Sequence, residues 1–347
     1  MMQGRFGVWA GAGILLGVAA AASAQPLGGD TEWVTIGAVG NKGYDGLDPD
    51  PRQFVTGRGS VNYEYRMATT EITTGQWLEF MNTVNARNER GSFIFDPLHW
   101  GAEEDFSYTG PGDRFKLRAD LGEKAARMPV AGMTWEDAAR YCNWLHNGKQ
   151  SDASTLGYGA YDASGFNMPG SGALEDQERR LPGAKFWIPS FDERLKAVHY
   201  DPEKVNEDGS VGGWWLGPYG SDELPLFGFP EDGGESSGGV ISISKDFDLI
   251  PVVGAYETRT PWGLADASGG VSEWLEDPFS FHNGVYDSRW VDGSAAFGFG
   301  SDWAYSFTAE FGIGAAVGLR IASVPAPGSL CMLGFACLPL ARSRRRH

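Results

Sequence analysis

The chain has 347 residues and carries 28 Lys and Arg against 45 Asp and Glu, a formal net charge of −17. That balance argues against nucleic acid and anionic membrane surfaces as partners, since both require clustered Lys and Arg. With 50 Gly, 19 Pro, 13 Trp, 12 Tyr and 20 Phe, the composition describes turns and loops held by aromatic packing, and no period of about 20 to 50 residues suggests a solenoid of repeats.

In chain order, residues 1–24 read as an export signal. Arg5 gives a short basic start, Val8 to Ala22 is small and apolar, and Ala22-Ser23-Ala24 fits a cleavage site before Gln25. Trp33–Ile36 predicts a strand, Gly37–Arg58 a surface loop, and Val61 to Met67 alternates as a second strand. Three helix starts follow. Thr73 or Thr74 precedes Trp77, Phe80 and Met81 at helical spacing. Thr134 precedes Asp137, with Ala138, Tyr141, Cys142 and Leu145 on one face. Ser190 and Glu193 form a capping box. The Gly-, Ser- and Asp-rich stretches from Lys149 to Arg180 and from Asn206 to Gly239 read as loops.

The end of the chain is a second address label. Val324 to Ser329 is Pro- and Gly-rich, Leu330–Ala341 is apolar and broken by Pro339, and Arg342, Arg344, Arg345 and Arg346 follow. The apolar run is short against the roughly 20 residues a bilayer requires. The tail resembles the PEP-CTERM sorting signal, with Ala326 where that family usually has Glu. The resemblance implies an exosortase-type processing partner, transient membrane association through this segment, and a Gram-negative envelope or extracellular location. A simple tail anchor is the alternative. The expected organisation is a signal peptide over 1–24, one domain over 25–323 and a sorting segment over 324–347. Cys331 and Cys337 lie in the tail, so Cys142 alone remains in the domain, read as a small buried hydrophobe.

Five segments in order then resemble one known family. They are Tyr63–Arg66 with Thr70–Thr73; Met128–Pro129–Val130 through Trp135-Glu136-Asp137-Ala138 to Trp144; Ile188-Pro189-Ser190 through Ala197; Gly263–Trp274; and Gly318-Leu319-Arg320. Together they resemble the formylglycine-generating enzyme and sulfatase-modifying factor family, whose signature reads G-L-x-D-x-x-G-N-V-x-E-W … G-F-R. Two departures are Arg194, where the family usually has Trp, and Gly270, where it has Asn. The resemblance implies an α+β, elaborated C-type-lectin-like fold, loop-rich and with little regular secondary structure.

The family's oxidases use a cysteine pair with copper, because soft sulfur holds Cu(I). The matching interval here, Ser301 to Thr308, contains no cysteine, which argues against formylglycine formation. His99, His146, His199, His282 and His347 share no ligand spacing, so neither copper nor iron is supported. Calcium is the metal the resemblance implies, through Glu273 and the carbonyls of Gly270, Val271 or Ser272. Glu273 as a buried polar contact that locks the core stays equally open. Asp45, Asp48 and Asp50 form an acidic run without a calcium-loop pattern. Trp214, Trp215 and Tyr219, with Trp290, Trp303 and Tyr305, form either a stacking platform for sugars or peptides or part of the core. The expected function is a secreted, envelope-associated binding or matrix protein whose ligand is an extracellular polysaccharide or peptide. Alternatives are a metal-dependent oxidoreductase of the same superfamily, using non-haem iron or copper, and an assembly factor for surface polysaccharide.

Overall fold

The computed structural model describes residues 30–46, 55–85, 101–110, 113–166, 179–223, 225–237, 251–282, 285–292, 308–310 and 317–325. The export signal, the sorting segment beyond Pro325 and most of the interval 301–308 lie outside these residues. No helix among the described residues is long and apolar enough to cross a membrane.

Strand β1 is Trp33–Ile36 and β2 is Tyr65–Ala68. The sequence predicts the second strand from Val61. Pairing begins only at Tyr65 opposite Ile36, because the chain leaves β1 through Ala38 and Gly40, both at positive φ. Helix α1 spans Thr74–Asn85. Thr73 is its cap: the Gln76 N–H donates to Thr73 Oγ1 at 3.2 Å, and the Thr73 N–H donates to Gln76 Oε1 at 3.0 Å. That reciprocal pair satisfies two N–H groups a helix start leaves open.

Strands β3 (Ala102–Glu104) and β4 (Phe115–Leu117) form a small ribbon, followed by a single turn α2 (Lys124–Arg127). Helix α3 spans Trp135–His146, capped by Thr134 accepting from the Asp137 N–H as expected. Its buried face carries Ala138, Tyr141, Cys142 and Trp144. Tyr141 stacks on Trp77 with centroids 5.2 Å apart, and Phe80 meets both Tyr141 and Trp144 edge-on or tilted. This aromatic contact joins α1 to α3 in the main core. Burial holds the Cys142 thiol well above its usual pKa, the environment of a structural cysteine.

Strand β5 (Phe186–Trp187) leads into α4 (Phe191–His199), where Ser190 and Glu193 form the expected capping box. Strands β6 (Tyr200–Val205) and β7 (Val211–Trp214) pair as an antiparallel hairpin. This corrects the expectation of a loop from Asn206. Asp208-Gly209 closes the turn with Gly209 at φ 80°, a hairpin signal that the surrounding glycines obscure. A longer hairpin, β8 (Ser272–His282) with β9 (Val285–Asp292), was also not expected; Pro278 lies inside β8 and the ladder shifts register around it.

The remaining strands are β10 (Thr308–Glu310), β11 (Val317–Gly318) and β12 (Ala322–Ser323). They complete two four-stranded sheets, β1-β2-β12-β5 and β10-β9-β8-β11. Strand β12 lies between β2 and β5, antiparallel to both, and β11 runs parallel to β8. Arg320 lies between β11 and β12, so the late chain is pinned to both sheets around that residue.

Candidate functional site

The motif residues meet in a buried charge centre. Glu273, second in β8, is 2 % exposed, Arg320 is 0 % exposed and Arg194, on α4, is 1 % exposed. Glu273 Oε1 accepts from Arg320 Nε at 2.8 Å, with Arg320 Nη2 also 2.8 Å away. Its Oε2 faces Arg194 Nη1 at 2.9 Å. The Arg320 guanidinium further donates to the carbonyls of Ala68, Thr69, Ala265 and Asp266 at 2.8–3.2 Å. Arg194 Nη2 donates to the Ala267 carbonyl at 3.1 Å. A planar guanidinium presents five donors, enough to serve several oxygens at once.

A second pair of acids lies against this centre. Glu71 accepts the Val271 N–H at 3.1 Å, and Asp266 accepts the Gly254 N–H. Burial first, then the nearby Asp266 charge, holds the Glu71 carboxyl well above its usual range. Burial also raises Asp266, against the pull of the Gly254 N–H and Arg320. Gly270 sits beside them at φ 66°, and a Cβ there would lie 2.2 Å from Glu71 Oε1. Gly270→Asn is therefore expected to destabilise the fold by about 1–3 kcal/mol. Asn tolerates positive φ better than most residues, so the loss reports the collision; denaturant unfolding checks it, and an unchanged midpoint contradicts it.

Of the residues implied as calcium ligands, the Gly270 N–H donates to Ser237 Oγ at 2.6 Å, the Val271 N–H is held by Glu71, and Ser272 lies opposite Val317 in the β8–β11 ladder. Both Glu273 oxygens face guanidinium groups, so a divalent cation placed there would stand against two positive charges. The arrangement fits an ion-pair centre and does not fit calcium at Glu273. Among the described residues, no group of three or more His, Cys, Asp or Glu side chains is arranged to hold a metal ion.

A further set of ion pairs surrounds the start of α4. Arg180 reaches Glu193 and Glu276, each at 3.0 Å, and stacks over Trp187 at 4.2 Å. Asp277 accepts the Phe191 N–H at 2.6 Å and approaches Arg58 and Arg179. Burial raises the Glu276 carboxyl to about 7, opposed by Arg180. Sequence reasoning missed Glu71, Asp266, Glu276 and Arg180. The available signal was acids set inside apolar stretches, as in Thr70-Glu71-Ile72 and Trp274-Leu275-Glu276.

Two concave surfaces open outward. One, about 660 Å³, lies between the start of β1, the chain before α1, α2 and residues 253–265, with Glu32, Glu71, Glu123, Arg127 and Arg259 on its walls. The other, about 650 Å³, lies between the β6–β7 hairpin and residues 40–45, and Lys42, Asp45, Lys204, Glu207, Asp208 and Trp214 line it. Both volumes suit a small polar ligand. Trp214 is mostly buried, edge-on to Tyr44 and Tyr200, with its Nε1 donating to the Lys42 carbonyl at 3.2 Å. Lys204 Nζ covers the Trp215 ring at 3.8 Å, and Trp215 Nε1 donates to Asp201 at 3.0 Å. Tyr219 Oη accepts the Ser268 N–H at 3.1 Å. Of Trp290 only the backbone, in β9, is described, and Trp303 and Tyr305 lie outside the described residues.

Residues 36–204 match the sulfatase-modifying factor enzyme 1-like domain. No curated protein matches the chain. Among solved structures the chain is similar to CarF at 18 % identity, covering 85 % of this chain and 99 % of that one with a TM-score of 0.50. It is also similar to Treponema denticola variable protein 1, at 18 % identity over 84 % of this chain and 95 % of that one, TM-score 0.49. PvdO from Pseudomonas aeruginosa matches at 13 % identity over 85 % and 92 %, TM-score 0.43. At such identities the CarF likeness speaks to the fold, a formylglycine-generating-enzyme-like scaffold, and to nothing finer.

Proposed function

We propose that the protein is an exported, envelope-associated binding protein on an elaborated C-type-lectin-like scaffold. Its ligand is a polar, hydroxyl-rich chain, an extracellular polysaccharide, taken up in the cleft beside the β6–β7 hairpin. Export through residues 1–24 and sorting through residues 324–347 belong to the same proposal. The supporting observation is where the ionisable groups point. The signature acid and arginines, Glu273, Arg194 and Arg320, face one another inside the core. Lys42, Asp45, Glu207 and Asp208 instead stand exposed around a cleft floored by Tyr200 and Trp214. Charged and amide groups with an aromatic edge recognise hydroxyl arrays through hydrogen bonds and ring contact. The non-oxidase reading is supported by Cys142, which is buried in α3 with its thiol pushed up and has no cysteine neighbour in the motif interval 301–308.

Titration of the purified exported protein with neutral and acidic polysaccharides tests the reading. Binding is expected, weakened about tenfold, or ~1.4 kcal/mol, by Asp45→Ala with Glu207→Ala. Both side chains are exposed, so the double variant is expected to fold. Binding indifferent to these changes, or conversion of a thiol peptide to an aldehyde, overturns it.

A further inference from the structure

Five oxygens converge on the interior of the Gly263–Trp274 segment: the carbonyls of Ala265, Asp266 and Ala267 and both carboxylate oxygens of Glu273. Carbonyls and a carboxylate gathered in this way are a donor set typical of calcium, a hard cation that takes oxygen ligands. Here every one of them faces a guanidinium nitrogen. Arg320 serves Ala265, Asp266 and Glu273 Oε1, and Arg194 serves Ala267 and Glu273 Oε2. The geometry points to Arg194 and Arg320 as a built-in structural cation, so that this segment is held without calcium.

Two departures from the family pattern then have one explanation. Arg194 stands where Trp is usual, and its charge reaches Glu273 from α4. Gly270 stands where an Asn side chain is usual, and the space its Cβ would need is filled by Glu71, whose Oε1 would lie 2.2 Å away. The same Oε1 accepts the Val271 N–H at 3.1 Å. Losing the amide side chain and gaining the arginine are thus parts of one replacement. The segment keeps its internal positive charge and its satisfied backbone, with side chains of this chain supplying both. A buried guanidinium recovers part of what it loses on leaving water through the carbonyls that accept from it and the carboxylate charge beside it: Arg320 donates to four carbonyls and to Glu273, and Arg194 donates to Ala267 and is ion-paired with Glu273 Oε2. In this arrangement the segment does not depend on calcium.

Elemental analysis and thermal melts of the purified exported protein, in millimolar calcium and in EGTA, test this. No stoichiometric calcium and coincident melts are expected. Stoichiometric calcium whose removal by EGTA lowers the melting temperature overturns the inference. Arg194→Leu is expected to lower the melting temperature by about 10 °C in both buffers, with Arg194→Lys recovering part of the loss. In a cycle with Glu273→Gln the two losses are expected to be non-additive, since each removes one side of the same contact; additive losses count against it. If Arg194→Leu does not fold, Arg194→Lys carries the cycle, and the parent's response to EGTA decides the matter by itself.

Discussion

Arg320→Met is expected to leave no cooperative folding transition at 25 °C. Methionine fills much of the arginine's volume, so the loss is one of charge and donors. Glu273 would keep a single counter-charge, and the carbonyls of Ala68, Thr69, Ala265 and Asp266 would lose their side-chain donor. Breaking a buried ion pair costs about 3–5 kcal/mol, and each buried acceptor left unpaired costs about 1–3 kcal/mol more. Against a total stability of about 5–15 kcal/mol, these losses are decisive. Circular dichroism on heating, with the yield of soluble exported protein, measures the outcome. Lys149→Ala is the control: its partner Glu79 is partly exposed, and such a pair is worth about 0–1 kcal/mol. An Arg320→Met protein melting within a few degrees of that control would falsify the account of the charge centre.

Asp137→Asn is expected to stabilise the protein increasingly as pH rises from 4 to 8. Asp137 is fully buried at the first turn of α3. One carboxylate oxygen accepts from Arg140 at 3.2 Å, and the other has no hydrogen-bond partner among the described residues. Burial raises its pKa to about 7, against the pull of Arg140 and the Thr134 cap. The folded pKa exceeds the unfolded one, so the fold favours the protonated acid. The stability this group contributes is complete below about pH 4 and is lost as pH rises through about 7. The loss is on the order of a few kcal/mol, and a neutral asparagine does not undergo it. Glu276, also raised to about 7, shifts parent and variant together and cancels in the difference. Urea unfolding of both proteins at low and high pH gives the comparison. A gap that stays constant across that range contradicts the assignment.

Local signals in the chain mapped well onto local structure. Thr73, Thr134 and Ser190 each cap the helix that their spacing implies, because capping depends on groups within three residues of one another. The five family-like segments placed the scaffold for a similar reason: each packs as a short unit whose apolar residues, such as Ile72, Trp144 and Trp274, are buried together. The two hairpins escaped notice. Pro278 and the glycines at 212 and 213 weaken strand propensity, and cross-strand pairing overrides it.

Charge pairing belongs to the other category. Glu71 and Val271 are bonded across 200 residues of chain, and Arg320 reaches Ala68 across 252. No periodicity or spacing records a contact of that separation. In the sequence Glu273 serves equally as a metal ligand or as a buried contact, because a carboxylate suits both roles. Which cation stands beside it depends on how α4 and β8 pack together, and there the neighbours are Arg194 and Arg320. Composition and motif order determined the scaffold, since they report which residues must leave water and where the chain must turn. The partners of Glu71, Glu273 and Glu276 were decided by tertiary packing, since a buried charge is tolerated only where it meets an opposite charge or a hydrogen bond, and for these three that comes from distant parts of the chain.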